Sequence, residues 1–183
     1  MRHKFVLPLF FVFILFIPSL AFAFSIIILS VDNTNTNVEV TFDLGNSPGF
    51  PPAVLPKCYY PSQGTQGNPN GVYITVRVIN ILGSTINNAY LDIRASNNPS
   101  STVNVDQIYW TTTPTSLPPE GTEPQPPWHP FSLNWQNVDV IPVSRQGAER
   151  EYRMDMCFKL EGDDEPTPPS GISTLIYVRL YGL

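Results

Sequence analysis

The sequence predicts an all-β protein: a single antiparallel β-sandwich, immunoglobulin-like or jelly-roll-like, of about eight strands. Three observations carry this. Period-two alternation of β-branched and aromatic residues recurs along the chain, while no stretch keeps an apolar period of 3.6 for three turns. The connections between alternating stretches are rich in Pro, Gly and Asn, with 20 prolines in 183 residues, the punctuation expected of many short strands. Beyond residue 23 about 160 residues remain, a length that suits one domain with a real core.

Residues 1–23 read as a cleaved secretory signal peptide. MRHK is a basic start, FVLPLFFVFILFIPSL is an apolar stretch interrupted by Pro8 and Pro18, and Ala21-Phe22-Ala23 supplies small residues where a signal peptidase reads. The competing reading is an uncleaved membrane anchor, which usually needs ~20 apolar residues. Residues 24–183 then form the β-sandwich domain, secreted or at the cell surface, with no stable transmembrane anchor after cleavage.

The strands follow in order. Phe24 to Val31 (FSIIILSV) is nearly continuously apolar, which predicts a strand covered on both faces. NVEVTFDL alternates Val38, Val40 and Phe42 against Glu39, Thr41 and Asp43. GVYITVRVI sets Val72, Ile74, Val76 and Val78 against Tyr73, Thr75 and Arg77. AYLDIRA sets Leu91 and Ile93 against Tyr90, Asp92 and Arg94. VDQIYWTT, QNVDVIPV, REYRMDMCFKL and STLIYVRLYG complete the set. Between them, residues 46–70 and 111–130 are long proline-stiffened connections. The second carries seven prolines, which bar it from a sheet interior.

Cys58 and Cys157 are the only cysteines. In an exported chain they are expected to pair, closing a loop of about 100 residues worth roughly 4 to 5 kcal/mol in the chain-entropy model. In REYRMDMCFKL the face of Tyr152, Met154, Met156 and Phe158 excludes Cys157. The bridge is therefore expected to clamp a loop onto the outer side of the sheet.

Without residues 1–23 the chain carries eight basic against fifteen acidic residues, a balance that repels phosphate backbones and excludes nucleic acid as a partner. No catalytic residue is expected, and the chain reads as a non-enzyme. The single histidine beyond the signal, His129, sits in the proline-rich connection, and no serine stands in a nucleophile-elbow motif. No cofactor is implied apart from calcium, for which Asp163, Asp164 and Glu165 are candidate oxygen ligands in a turn. Trp110 and Trp135 read as core fillers. Trp128, in PPWHP beside His129, reads as the exposed tryptophan and a candidate ligand-binding residue.

The closing segment GISTLIYVRLYGL resembles the final hairpin of exported bacterial immunoglobulin-like domains, most closely the pilin-type subunits of chaperone–usher systems, including the spore-coat-U-like group. Gly171 and Tyr181 fall near that family's glycine and terminal aromatic, with Ile172, Ile176, Val178 and Leu180 on one face. The resemblance implies a structural subunit of a filament, pilus or other surface assembly. Its assembly strands would carry Phe24, Ile26 and Ile28 at one end and Ile172, Ile176, Val178, Leu180 and Tyr181 at the other. Its partners would be copies of itself or other surface proteins. The alternative is a monomeric secreted carbohydrate-binding module that engages polysaccharide through Trp128 and His129.

Overall fold

The computed structural model describes residues 24–32, 38–81, 86–162 and 174–183. Among them are nine strands: β1 (Phe24–Val31), β2 (Lys57–Tyr59), β3 (Gly71–Ile81), β4 (Asn88–Ala95), β5 (Ile108–Thr111), β6 (His129–Pro130), β7 (Gln136–Pro142), β8 (Ala148–Leu160) and β9 (Ile176–Gly182). They form two antiparallel sheets, the sandwich that the alternation predicts. The large sheet runs β1-β3-β8-β5-β6, with β2 also on β8, and the small sheet runs β7-β4-β9.

β8 is the spine of the large sheet. Asp155 pairs with Gly71 of β3 and Thr111 of β5, and Phe158 pairs with Tyr59 of β2 and Ile108 of β5. β3 and β2 therefore share one edge of β8 in tandem while β5 takes the other. The core lies between the sheets. Val72, Ile74, Val76 and Val78 of β3 and Met154 and Met156 of β8 meet Ala89, Leu91, Ile93 and Ala95 of β4 and Ile141 of β7, with Trp110 and Phe131 alongside. Their burial stabilises the fold by about 1.5 to 3 kcal/mol for each large side chain.

Four local features differ from the sequence expectation. Residues 38–43 join no sheet beyond one bridge, Thr41 to Gln63. Their alternation survives in the packing, because Val38, Val40 and Phe42 still lie against the core, with Phe42 6.1 Å from the Phe158 ring. An apolar period of two records which side is buried, and does not require a ladder partner. Residues 105–107 form a 3-10 turn ahead of β5, held by a reciprocal cap between Asn104 and Gln107. The connections supply the short strands β2 and β6, and β6 ends on Pro130 at a sheet edge, where no donor is needed. Lastly, β1 is not covered on both faces. Ile27, Leu29 and Val31 pack inward, while Ile26 and Ile28 are 41% and 43% exposed, because no described segment crosses their outer side.

Candidate functional site

The outer face of the large sheet carries a second, smaller core where β2, β8 and β5 meet. Cys58, Tyr109, Trp128 and Cys157 are buried there, with Tyr60 and Leu117 packed against them. Cys157 is 0% exposed, on the side of β8 away from the main core, as its place in the alternation requires. Two proline-rich connections form the cover. Tyr60 Oη donates to the Thr115 carbonyl at 3.1 Å, tying one to the other. Both cysteines are thiols side by side. The hydrogen bond from Cys157 pulls the Cys58 thiol down, and the same contact together with burial pushes the Cys157 thiol up.

Trp128 corrects the sequence reading: it is 4% exposed. The connection folds back over the sheet, and the indole fills the space beneath it while Nε1 donates to the Ser116 carbonyl at 3.2 Å. His129 turns the other way. It is exposed, pairs with Trp110 as part of β6, and sits with its ring 5.0 Å from the Trp110 ring. At the rim, Lys159 meets Glu161 at 2.5 Å and Glu123 at 3.0 Å. Burial alone would lower the Lys159 ammonium, but the two carboxylates outweigh it and hold it above its ordinary value.

The first and last described strands occupy one flank. Among the described residues β1 ends the large sheet, β9 ends the small one, and the two approach each other without sharing a ladder. Asp32 N–H donates to Tyr73 O at 2.7 Å, which marks that pair as hydrogen-bonded. Alternation along the register then turns the backbone groups of Ile27 and Leu29 away from β3. On β9, Leu183 N–H donates to Asn88 O at 3.0 Å and Ser96 N–H to Leu175 O at 2.9 Å. The backbone groups of Ile176, Val178 and Leu180 therefore face away from β4. The side chains of these three pack into the core. Phe24 pairs with Ile81 in the ladder, and Tyr181 stacks on Tyr90 at 5.2 Å on the outer face.

That outer face of the small sheet is an aromatic and guanidinium ladder. The Arg179 guanidinium lies 4.0 Å from the Trp135 ring centre and 5.0 Å from that of Tyr181. Arg94 lies 4.9 Å from Trp135 and 5.4 Å from Tyr177. Trp135 is thus half-buried between two cations and is not a core filler. Buried Asp92 holds Arg179 through both Nε and Nη2, at 3.1 and 2.8 Å, and accepts from Asn137 at 3.0 Å. The alternation of AYLDIRA and IYVRLYG contains this ladder, but which rungs meet depends on the β4–β9 register.

At the opposite flank a cavity of about 180 Å³ opens between β5, β6 and β7, lined by Trp110, Thr111, Thr113, His129, Gln136 and Asn137 among others. Sequence reasoning picked out His129 alone of these as a binding residue, since Trp110 read only as core. Gln136 begins a strand and carries no motif, so only the meeting of the two sheets brings it here. Among the described residues no group of three His, Cys, Asp or Glu is placed to hold a metal ion, and no helix is long and apolar enough to cross a membrane. Asp163, Asp164, Glu165 and Ile172 lie outside the described residues. The chain matches no family model, no curated protein and no solved structure.

Proposed function

We propose that the protein is a secreted structural subunit of a cell-surface assembly, such as a filament, joined by β-strand pairing at the β1/β9 flank. The observation that carries this reading is that, among the described residues, both strands are sheet edges on one side of the sandwich. A strand entering between them meets the backbone donors and acceptors of Ile27 and Leu29 on one side and of Val178 and Leu180 on the other. Exposed Ile26 and Ile28 extend the apolar surface beside that edge, where a monomer is expected to place charge or proline. The resemblance of the closing hairpin to pilin-type subunits supports the same reading, as does the signal-like character of residues 1–23. In an oxidising compartment the adjacent Cys58 and Cys157 thiols join as a disulfide that fixes the loop cover.

The test is light scattering after size exclusion, with negative-stain imaging, on residues 24–183 produced under oxidising conditions. Ladders or fibres are expected, and the double change Ile26→Lys with Ile28→Lys should abolish them while leaving a folded monomer. A wild-type protein that stays monomeric at every concentration would sink the proposal.

A further inference from the structure

Two residues that line the cavity between β5, β6 and β7 carry unanswered polar groups. Trp110 is 5% exposed, and its Nε1, a hydrogen-bond donor, is buried with no acceptor. The Oε1 of Gln136, an acceptor, is buried with no donor. The Gln136 amide cannot be turned over to relieve this. Its Nε2 donates to the Pro130 carbonyl at 2.9 Å, a partner that accepts only, so the oxygen is the atom left over. Leaving a buried polar group unpaired costs about 1 to 3 kcal/mol, and here a donor and an acceptor belong to residues lining the same space.

We propose that this cavity binds one ring of a neutral sugar, seated by a hydroxyl that accepts from Trp110 Nε1 and donates to Gln136 Oε1. A hydroxyl is the small group that does both at once. Among the described lining residues there is no Lys, Arg, Asp or Glu, so only His129, when protonated, could offset a ligand charge, and the lining favours a neutral ligand. Thr111, Thr113 and Asn137 add neutral polar groups, and exposed His129 stands at the mouth. The space, about 180 Å³, has room for several waters or a small hydroxylated group. The site is independent of strand pairing, which belongs to the other flank, so either proposal survives the loss of the other.

The experiment follows the three indole N–H resonances of ¹⁵N-labelled protein, residues 24–183, during titration with glucose, galactose, mannose, N-acetylglucosamine, glucuronate and a serine-rich peptide. Trp110→Phe assigns the Trp110 signal and retains most of the ring. At least one neutral sugar is expected to move that signal saturably. Both Trp110→Phe, followed by calorimetry, and Gln136→Leu should weaken that sugar about tenfold or more, the loss of one hydrogen bond to a buried partner. If Gln136→Leu fails to fold, Trp110→Phe alone carries the test. A signal unmoved by every sugar would show that the cavity holds ordered water only and would overturn the proposal. Equal binding of glucuronate would overturn the neutral class, and binding of the peptide alone would assign the cavity to a protein partner.

Discussion

Two regions of the large sheet's outer face, the β1 edge and the middle around β8, reach opposite outcomes. At the β1 end the strand FSIIILSV is far more apolar than REYRMDMCFKL of β8, yet Ile26 and Ile28 stand in solvent. In the middle of the sheet, Cys157 of β8 and its neighbours are shut away beneath two connections. Both strands obey the same alternation and both bury their inward face in the same core. The difference is cover: the proline-rich segments cross β2, β8 and β5, and no described segment crosses the outer side of Ile26 and Ile28. The middle of the outer face is therefore closed, while the β1 edge leaves Ile26 and Ile28 exposed.

The largest expected effect comes from the disulfide proposed between Cys58 and Cys157. Denaturant midpoints with and without reductant should differ by an amount corresponding to about 4 to 5 kcal/mol, less native strain, because the cross-link closes a loop of about 100 residues. Equal midpoints, together with two titratable thiols in the unfolded oxidised protein, would show that the covered region holds by packing alone.

Trp128→Ala ranks next. Removing a buried indole should cost about 3 to 5 kcal/mol and, in reduced protein, should expose Cys157 to a thiol reagent. A loss within experimental error would mean that the connection does not rest on the sheet as described. Tyr60→Phe should cost only about 1 kcal/mol, the worth of one hydrogen bond, since it unties one connection from the other and leaves the ring in place.

The same tyrosine sets a pH dependence. Burial, followed by the charge of Asp155, raises the Tyr60 phenol above its ordinary value. The folded state therefore favours the neutral form. Its contribution is fully present below about pH 10, where the unfolded tyrosine begins to ionise, and is lost as the pH rises through the folded value. Urea midpoints of wild type and Tyr60→Phe should converge across that alkaline range. A constant gap would point to a different group.

Ile28→Lys is the smallest in stability and the most informative for the open end. An exposed outward position should change unfolding free energy by no more than about 0.5 kcal/mol, while the edge charge opposes strand addition. A large loss of monomer stability would mean that the β1 end is covered after all.

Much of this architecture is legible in the sequence. Seven strands are legible, β1 from its apolar run and six from alternation, and the inward faces of β3, β4 and β8 and the outward side of Cys157 follow because side chains on successive residues point to opposite faces whatever the partner. Residues 38–43 show the limit of that signal: their pattern marks a buried side but not a hydrogen-bonded one. Trp128 shows another. Its proline-rich surroundings read as an exposed loop, since proline excludes a segment from a ladder but does not stop it from covering one.

The sequence by itself therefore determined the fold class, most of the strands and which face of each is apolar. The tertiary structure decided the rest: that among the described residues β1 and β9 are edges of different sheets on one flank, that the connections seal the Cys58 and Cys157 side, and that Gln136 and Trp110 line one cavity. Alternation is local and set by backbone geometry. Strand order, loop cover and cavity lining join residues far apart in the chain, and their pairing depends on how all the strands pack at once.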